Sequence, residues 1–160
     1  PLDLFGFNNY YSSRVRADDE GKLEYIQGAD GPPLTTMGWR VTPEGIYWGA
    51  RYFYERYQLP IVITENGMAG TDWVQLDGRV HDPARIDFLH RYLKQIKKAI
   101  QDGIDCKAYF QWTFLDNFEW SYGYSQRFGL IFTDFETQRR IPKDSAYWYR
   151  YTIQTNGAEI

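Results

Sequence analysis

The sequence predicts an α/β fold built from three strand-helix units, and three observations support this prediction. Short runs of apolar and β-branched residues alternate along the chain with longer segments in which apolar residues recur every three or four positions. The longer segments begin with residues typical of helix starts, and polar loops separate the units. This alternation is typical of parallel strands joined by helical crossovers.

The first unit begins with a short buried strand predicted over Leu2–Phe7. Residues Arg16–Thr36 are rich in Asp, Glu, Gly and Pro and lack periodicity, so they predict a long loop. A helix is predicted from about Pro43 to Tyr57, because Thr42 and Pro43 are suited to the N-cap and the first helical position.

The second unit carries the clearest pattern in the chain. Ile61–Thr64 is a continuous β-branched run, typical of a strand that is covered on both faces. Asp82 and Pro83 then open a second helix, which is predicted to end at Gly103. We expect this helix to bury one apolar stripe, which consists of Ile86, Leu89, Leu93, Ile96 and Ile100.

The third unit contains a strand predicted over Ala108–Trp112 and a turn over Thr133–Thr137. Asp144 or Ser145 is predicted to cap a last helix that continues through Tyr151. Three parallel strands alone would leave sheet edges and a wide apolar face unpaired. We therefore expect the fold to be completed by sequence outside this chain or by another chain.

Composition narrows the classes of function. The 160 residues contain 18 Lys and Arg against 21 Asp and Glu, for a net charge of −3, so we expect neither a nucleic-acid nor a membrane partner. The single cysteine, Cys106, excludes an internal disulfide, and there is no apolar stretch of about 18 residues. A single domain over residues 1–160, located in the reducing cytoplasm, is the expectation.

Aromatic residues make up 19% of the chain, with 6 Trp, 14 Tyr and 10 Phe. Tyr and Trp combine a flat apolar face with a polar group, which suits a partly hydrated cleft. An aromatic-rich core is the alternative that composition alone leaves open.

Polar side chains follow each predicted strand, at the point where the strand ends. Since the carboxyl ends of parallel strands meet at one edge of a sheet, we expect these side chains to surround one mouth. They are Asn8, Asn9 and Tyr10 after the first strand, Glu65 and Asn66 after the second, and Trp112, Asp116, Glu119 and Trp120 after the third.

Glu65 follows its strand directly, which places its carboxylate on a rigid element facing the mouth. Asn8 and Tyr10 are two residues apart and therefore face the same way. A Tyr10 hydroxyl that donates to Glu65 would keep the carboxylate ionised, as a nucleophile must be. A capping or salt-bridged carboxylate is the alternative interpretation of Glu65.

Glu119 and Trp120 place a double hydrogen-bond acceptor beside a flat apolar face, a pair that suits the hydroxyls and C–H surface of a sugar. Trp112 and Phe128 could add walls to such a site. The alternative is a surface carboxylate beside aromatic residues that only pack.

No metal or cofactor is expected. His81, His90 and Cys106 have no ligand spacing among them, so we interpret all three as structural or incidental. The glycines that follow Glu65 fit a turn better than a phosphate-binding loop.

Two runs, Ile63–Gly67 (ITENG) and Leu115–Trp120 (LDNFEW), resemble the most characteristic motifs of glycoside hydrolase family 1, the β-glucosidase family. The runs Asp3–Tyr10 and Phe128–Ser145 resemble its sixth barrel strand and its C-terminal end, so the resemblance extends through essentially the whole chain. It implies the C-terminal part of a (β/α)8 TIM barrel, with strands six to eight and their helices.

The resemblance also implies an activity, that of a retaining exo-β-glycosidase acting on terminal β-D-glucosyl residues. By the family pattern Glu65 is the nucleophile that forms the covalent glycosyl-enzyme intermediate, with Asn8 and Tyr10 beside it. Glu119 and Trp120 would bind the hydroxyls of the non-reducing-end sugar.

The resemblance further places Trp112 beneath the sugar ring and Phe128 at the pocket wall. Family members that act on 6-phosphorylated sugars tend to replace the acidic residue of the Glu-Trp pair. Here Glu119 is kept and Gln126 stands where a Lys is frequent, which favours unphosphorylated substrates.

One part of the retaining machinery is absent from the sequence. The mechanism needs a second carboxyl group as acid and then base, which in this family is a Glu within an Asn-Glu-Pro tripeptide. No such tripeptide occurs here. We therefore expect the chain to be inactive without an N-terminal barrel portion as its partner; a non-catalytic sugar-binding module and a purely structural fragment are the alternatives.

Overall fold

The computed structural model describes residues 2–26, 31 and 33–160. In chain order its elements are β1 (Phe5–Asn8), β2 (Val15–Ala17), β3 (Leu23–Tyr25), α1 (Glu44–Tyr57), β4 (Ile61–Asn66), α2 (Pro83–Gln101), β5 (Cys106–Gln111), β6 (Ile131–Thr133), β7 (Arg140–Pro142) and α3 (Asp144–Gln154).

The central sheet has the strand order β1-β4-β5, and both strand pairs are parallel. Helix α1 joins β1 to β4, α2 joins β4 to β5, and α3 follows β5 after the β6–β7 hairpin. The predicted α/β class with parallel strands and helical crossovers is therefore confirmed.

The helices cover one face of this sheet. Ile61 and Ile63 of β4 are fully buried against the helices, in a core that also contains Ile46 of α1 and Leu89 of α2. The sheet's opposite face has no such cover, and there Phe110 remains 57% exposed. The expectation that the chain leaves one apolar sheet face open is borne out.

Helix α2 buries Leu89 and Ile96 of the predicted stripe, but its buried face is centred to one side of that stripe. Its buried residues are Arg85, Phe88, Leu89, Tyr92, Ile96 and Ala99. Ile100 is exposed, so its assignment to the buried stripe was wrong. The centre of the buried face, at Arg85, Phe88, Tyr92 and Ala99, lies to one side of the predicted stripe, so Ile100, in the last turn of the helix, lies at the border of that face.

Two predicted helix caps do not form. Helix α1 begins at Glu44, and the Thr42 hydroxyl accepts the backbone N–H of Ser12 at 2.7 Å instead of capping the helix. Lys143 occupies the N-cap position of α3, and the Ser145 hydroxyl donates to the Asp82 carboxylate at 2.5 Å. In both cases the polar side chain is engaged by a neighbouring segment.

The loop predicted over Arg16–Thr36 contains an antiparallel hairpin, formed by β2 and β3. Both strands are exposed along their whole length, so neither shows the apolar alternation by which a half-buried strand is recognised. Part of the predicted loop, Gln27–Asp30 and Pro32, lies outside the described residues. Among the residues described, no helix is long and apolar enough to cross a membrane.

Candidate active site

The carboxyl ends of the three parallel strands meet around Glu65. The Glu65 carbonyl accepts the backbone N–H of Asn9 on one side at 2.9 Å. On the other side the carbonyl of Asn66 accepts the N–H of Trp112 at 2.8 Å. Neighbouring segments therefore hold the main chain on one side at Glu65 and on the other side at the next residue, Asn66.

The buried Asn66 joins all three strands directly behind Glu65. Its amide nitrogen donates to the Asn9 carbonyl and its amide oxygen accepts from the Tyr109 hydroxyl, both at 2.7 Å. Burial raises the pKa of Tyr109, so its hydroxyl remains a donor. Sequence reasoning placed Asn66 at the mouth but missed Tyr109, because nothing in the local pattern indicates a contact 43 residues away.

Gly67 allows the second and third strands to end in close contact. A Cβ atom at this position would lie 1.9 Å from the Trp112 carbonyl oxygen, so any other residue would displace one of the two loops. Gly67 thus allows close packing between the segment that follows Glu65 and the segment that begins at Trp112.

Tyr10 donates a hydrogen bond from its hydroxyl to Oε2 of Glu65. Burial is the main cause that raises the pKa of Tyr10, and the hydrogen bond to Glu65 and the charges of Glu65 and Glu119 act in the same direction. Tyr10 therefore stays protonated and remains a hydrogen-bond donor to Glu65.

Asn8 lies on the open face of the sheet, beside Thr64. Its amide oxygen accepts the Thr64 hydroxyl at 2.6 Å, so its side chain is held by the neighbouring strand and has no direct bond to Glu65. A Cβ on Gly6 would lie only 2.9 Å from the Thr64 methyl group. The small residue before Asn8 thus leaves room for the side chain that orients it.

An aromatic group backs Tyr10. The ring of Trp39 lies 5.3 Å from that of Tyr10 and is stacked on that of Tyr11 at 5.4 Å. Phe128 meets both Tyr10 and Trp39 at 6.1 Å and is 2% exposed, so it lies behind Tyr10 in this chain. Trp39 was missed by sequence reasoning, because it stands alone between Gly38 and Arg40 without any periodic pattern.

The loop after β5 carries the remaining predicted residues. Trp112 is half-buried, and its peptide bond to Thr113 is cis. Glu119 is also half-buried and precedes one 3-10 turn, in which Trp120 is 80% exposed. No side-chain hydrogen bond or ring contact among the described residues joins Trp120 to Tyr10 or Glu65. The structure therefore joins Glu65 and Tyr10 by a direct hydrogen bond and leaves Trp120 largely exposed.

A cleft of about 1070 Å³ lies on the other side of this aromatic group, between the loop after β1 and the first turns of α1 and α2. Tyr11 and Trp39 line it, but Glu65 and Tyr10 do not. The cleft is thus separate from the carboxylate site, although it shares the Trp39 ring with the site's outer wall.

The two histidines and the cysteine lie apart from the candidate site. The two ring nitrogens of His81 bond Asp144 at 2.5 Å and Asp77 at 2.9 Å, and these bonds raise its pKa. Burial raises the pKa of the Cys106 thiol to about 11, which makes it a poor nucleophile at neutral pH. Across residues 2–26, 31 and 33–160 no group of His, Cys, Asp and Glu is arranged to hold a metal ion.

The model of glycosyl hydrolase family 1 matches residues 1–158. The chain belongs to glycosyl hydrolase family 1. It is 46% identical, over 99% of its length, to β-glucosidase A of Thermotoga maritima, and 45% identical, over 98%, to the 1,4-β-D-glucan glucohydrolase of Thermotoga neapolitana.

A solved structure of the Thermotoga maritima β-glucosidase in complex with glucoimidazole superposes on 98% of this chain with a TM-score of 0.89 and 47% identity. The chain covers only 36% of that structure, and 36% and 35% of the two family 1 relatives. It therefore corresponds to about one third of the family 1 proteins it resembles, which is consistent with a partial barrel.

Proposed function

We propose that this chain is the C-terminal part of a family 1 barrel, to which β1, β4 and β5 contribute strands six, seven and eight. The complete barrel is a retaining exo-β-glycosidase that hydrolyses terminal β-D-glucosyl residues. The observation that supports this most directly is the Tyr10–Glu65 hydrogen bond at the carboxyl edge of the parallel sheet. We also propose a reducing, cytoplasmic location, to which the single Cys106 is suited.

In this proposal the Glu65 carboxylate attacks the anomeric carbon, the bond to the leaving oxygen breaks, and a glycosyl ester forms. Tyr10 holds the carboxylate in place as a neutral donor. Water then releases the sugar and regenerates the carboxylate. The acid/base carboxyl group comes from the N-terminal part of the barrel, about 5 to 5.5 Å from Glu65.

Glu119 accepts hydroxyls of the non-reducing-end sugar, with Trp120 beside it, Trp112 beneath the ring, and Phe128 supporting the pocket wall through Tyr10. Two features support an unphosphorylated substrate. A sugar phosphate facing the Glu119 carboxylate would be repelled. Gln126 accepts the Thr36 hydroxyl at 2.6 Å and carries no positive charge for a phosphate.

Mechanism-based trapping tests this proposal. The chain, assembled with a family 1 N-terminal barrel portion, is treated with an activated 2-fluoro glucoside and digested for mass spectrometry. We expect the glycosyl label on Glu65, and loss of label and turnover in Glu65→Gln. Glu136→Gln, at an exposed carboxylate, is the matched control and should keep both. Unchanged turnover in Glu65→Gln would show that another residue is the nucleophile.

A non-catalytic sugar-binding module is the second candidate, and the exposed face of Trp120 favours it. This candidate predicts that the isolated chain is folded and binds glucose in a calorimeter without turnover in any assembly. A purely structural fragment predicts neither binding nor label. Label on Glu65 in the assembled protein excludes both alternatives.

A further inference from the structure

The loop that carries Glu119 and Trp120 has one buried residue, and that residue is a carboxylate. The structure describes every residue from 113 to 126, and Asp116 is the only one of them that is buried. Four large aromatic residues of the segment, Phe114, Phe118, Tyr122 and Tyr124, are at least half exposed. Within this chain, main-chain hydrogen bonds of Phe114 and Asp116 with Ile131 hold the start of the loop, and Asp116 supplies its one buried side chain.

Asp116 uses both of its carboxylate oxygens. Oδ1 accepts from Nζ of Lys143 at 2.9 Å and from the backbone N–H of Gly129 at 2.8 Å. Oδ2 accepts from the Arg127 guanidinium at 2.7 Å. Gly129 has no room for a side chain, because a Cβ would lie 2.2 Å from the Asp116 nitrogen. The Asp116 carboxylate thus joins the loop to Arg127, Gly129 and Lys143, in addition to the main-chain bonds at the start of the loop.

Lys143 connects this fastening to the loop that follows Glu65. Its side chain is 0% exposed, and its ammonium group donates to Asp72 at 2.6 Å as well as to Asp116. Asp72 lies on the segment between β4 and α2, seven residues after Glu65, and also accepts from Arg85 at 2.7 Å. One buried amino group therefore bridges the loop that follows the predicted nucleophile and the loop that bears the predicted sugar-binding carboxylate.

The group of charged side chains that includes Lys143 contains three carboxylates and three cations. The carboxylates are Asp72, Asp82 and Asp116, and the cations are Arg85, Arg127 and Lys143. Removal of Lys143 leaves three carboxylates beside two cations and takes one donor from each of Asp72 and Asp116, which favours displacement of a carboxylate toward water. Asp116 is three residues before Glu119 in the same loop, so a displacement of Asp116 is expected to change the position of Glu119.

We propose that Lys143 is a positioning residue for sugar binding: it holds Glu119 and Trp120 in register with Glu65 through Asp116. This inference rests on the proposed function, because it concerns the same site. A purely structural role for Lys143 would lower stability without acting specifically through Glu119. The positioning role therefore predicts that the effects of substituting Lys143 and Glu119 are coupled, and the purely structural role predicts that they are independent.

A double-mutant cycle tests the coupling in the assembled enzyme. The probe is glucoimidazole, the ligand in the solved structure of the Thermotoga maritima relative, and its Kd is measured by calorimetry beside KM for an aryl β-glucoside. We expect Lys143→Met and Glu119→Gln each to raise Kd and KM about tenfold or more. The Kd and KM of the double variant should then exceed those of Glu119→Gln by about threefold at most, because the effects of coupled residues are not additive.

Lys94→Met, at an exposed lysine of α2, is the matched control and should leave both constants unchanged. If the increase in Kd of the double variant equals the product of the increases in the two single variants, the positioning role is overturned. It is also overturned if the Lys143→Met enzyme binds glucoimidazole as tightly as the control. If Lys143→Met does not assemble, Asp116→Asn replaces it in the same cycle, with the same expectations. A parent enzyme that neither binds glucoimidazole nor labels at Glu65 contradicts the proposed function instead.

Discussion

At the scale of single residues, the candidate site depends on how Glu65 is held. Its carbonyl accepts from Asn9, the carbonyl of the next residue accepts from Trp112, and its side chain accepts from Tyr10. Rigid placement of this kind is what a group needs if it is to attack a carbon atom without first being reoriented. The pKa of Tyr10 lies above its ordinary value of 10.0, so Tyr10 stays a donor through the neutral and mildly alkaline range.

Removal of the Tyr10 hydroxyl should therefore slow the reaction without removing the nucleophile. A hydrogen bond to a charged group contributes about 1.5 to 3 kcal/mol, so we expect Tyr10→Phe to lower kcat/KM of the assembled enzyme about 10- to 100-fold. The label from a 2-fluoro glucoside should still appear on Glu65, but more slowly. Steady-state kinetics and timed mass spectrometry measure the two effects.

Tyr11→Phe is the matched control, because the neighbouring ring is also stacked near Trp39 but its hydroxyl bonds no residue in the described part of the chain. Equal rates for Tyr10→Phe and the parent enzyme would show that the bond to Glu65 does not contribute to catalysis.

At the scale of elements, the sequence predicts those whose apolar pattern is long and regular. β4 was predicted from a run of β-branched residues and α2 from a helical period that extends over many residues. The helices begin close to their predicted first residues. The β2–β3 hairpin was missed because both of its strands are exposed. The role of Lys143 as a buried bridge was not predicted, because its partners lie 27 and 71 residues away along the chain. No local sequence pattern indicates such a contact.

The buried face of α2 provides a stability test of the corrected stripe. Ile96 is 7% exposed and Ile100 is 51% exposed, although both were predicted to be buried. We expect Ile96→Ala to lower the free energy of unfolding by about 2 to 5 kcal/mol, because a buried side chain leaves a cavity. Ile100→Ala should change it by no more than about 0.5 kcal/mol.

Chemical denaturation of the assembled protein, followed by circular dichroism, measures both variants of α2. The two substitutions are chemically identical and four residues apart in the same helix, so each serves as the control of the other. Equal losses would show that the sequence-based stripe describes the buried face better than the structure does.

At the scale of the whole molecule, helices cover only one face of the three-stranded sheet. The helices bury Ile61 and Ile63, whereas Leu4 and Phe110 on the opposite face are 49% and 57% exposed. Neither edge of the β1-β4-β5 sheet has a further strand among the described residues. Open edges and an apolar face of this kind favour association with other chains.

We therefore expect the isolated chain to self-associate and to bind the dye ANS, and the N-terminal barrel portion to suppress both. Light scattering should give masses well above 19.0 kDa for the chain alone. Phe110→Ser should reduce association, because it places a polar group on the open sheet face. Leu76→Ser is the control, since Leu76 is fully exposed on the loop between β4 and α2, away from that face, and should leave association unchanged. If the chain alone were a monomer without dye binding, the open face would need no partner, and the requirement for an N-terminal barrel portion would rest on the missing acid/base residue alone.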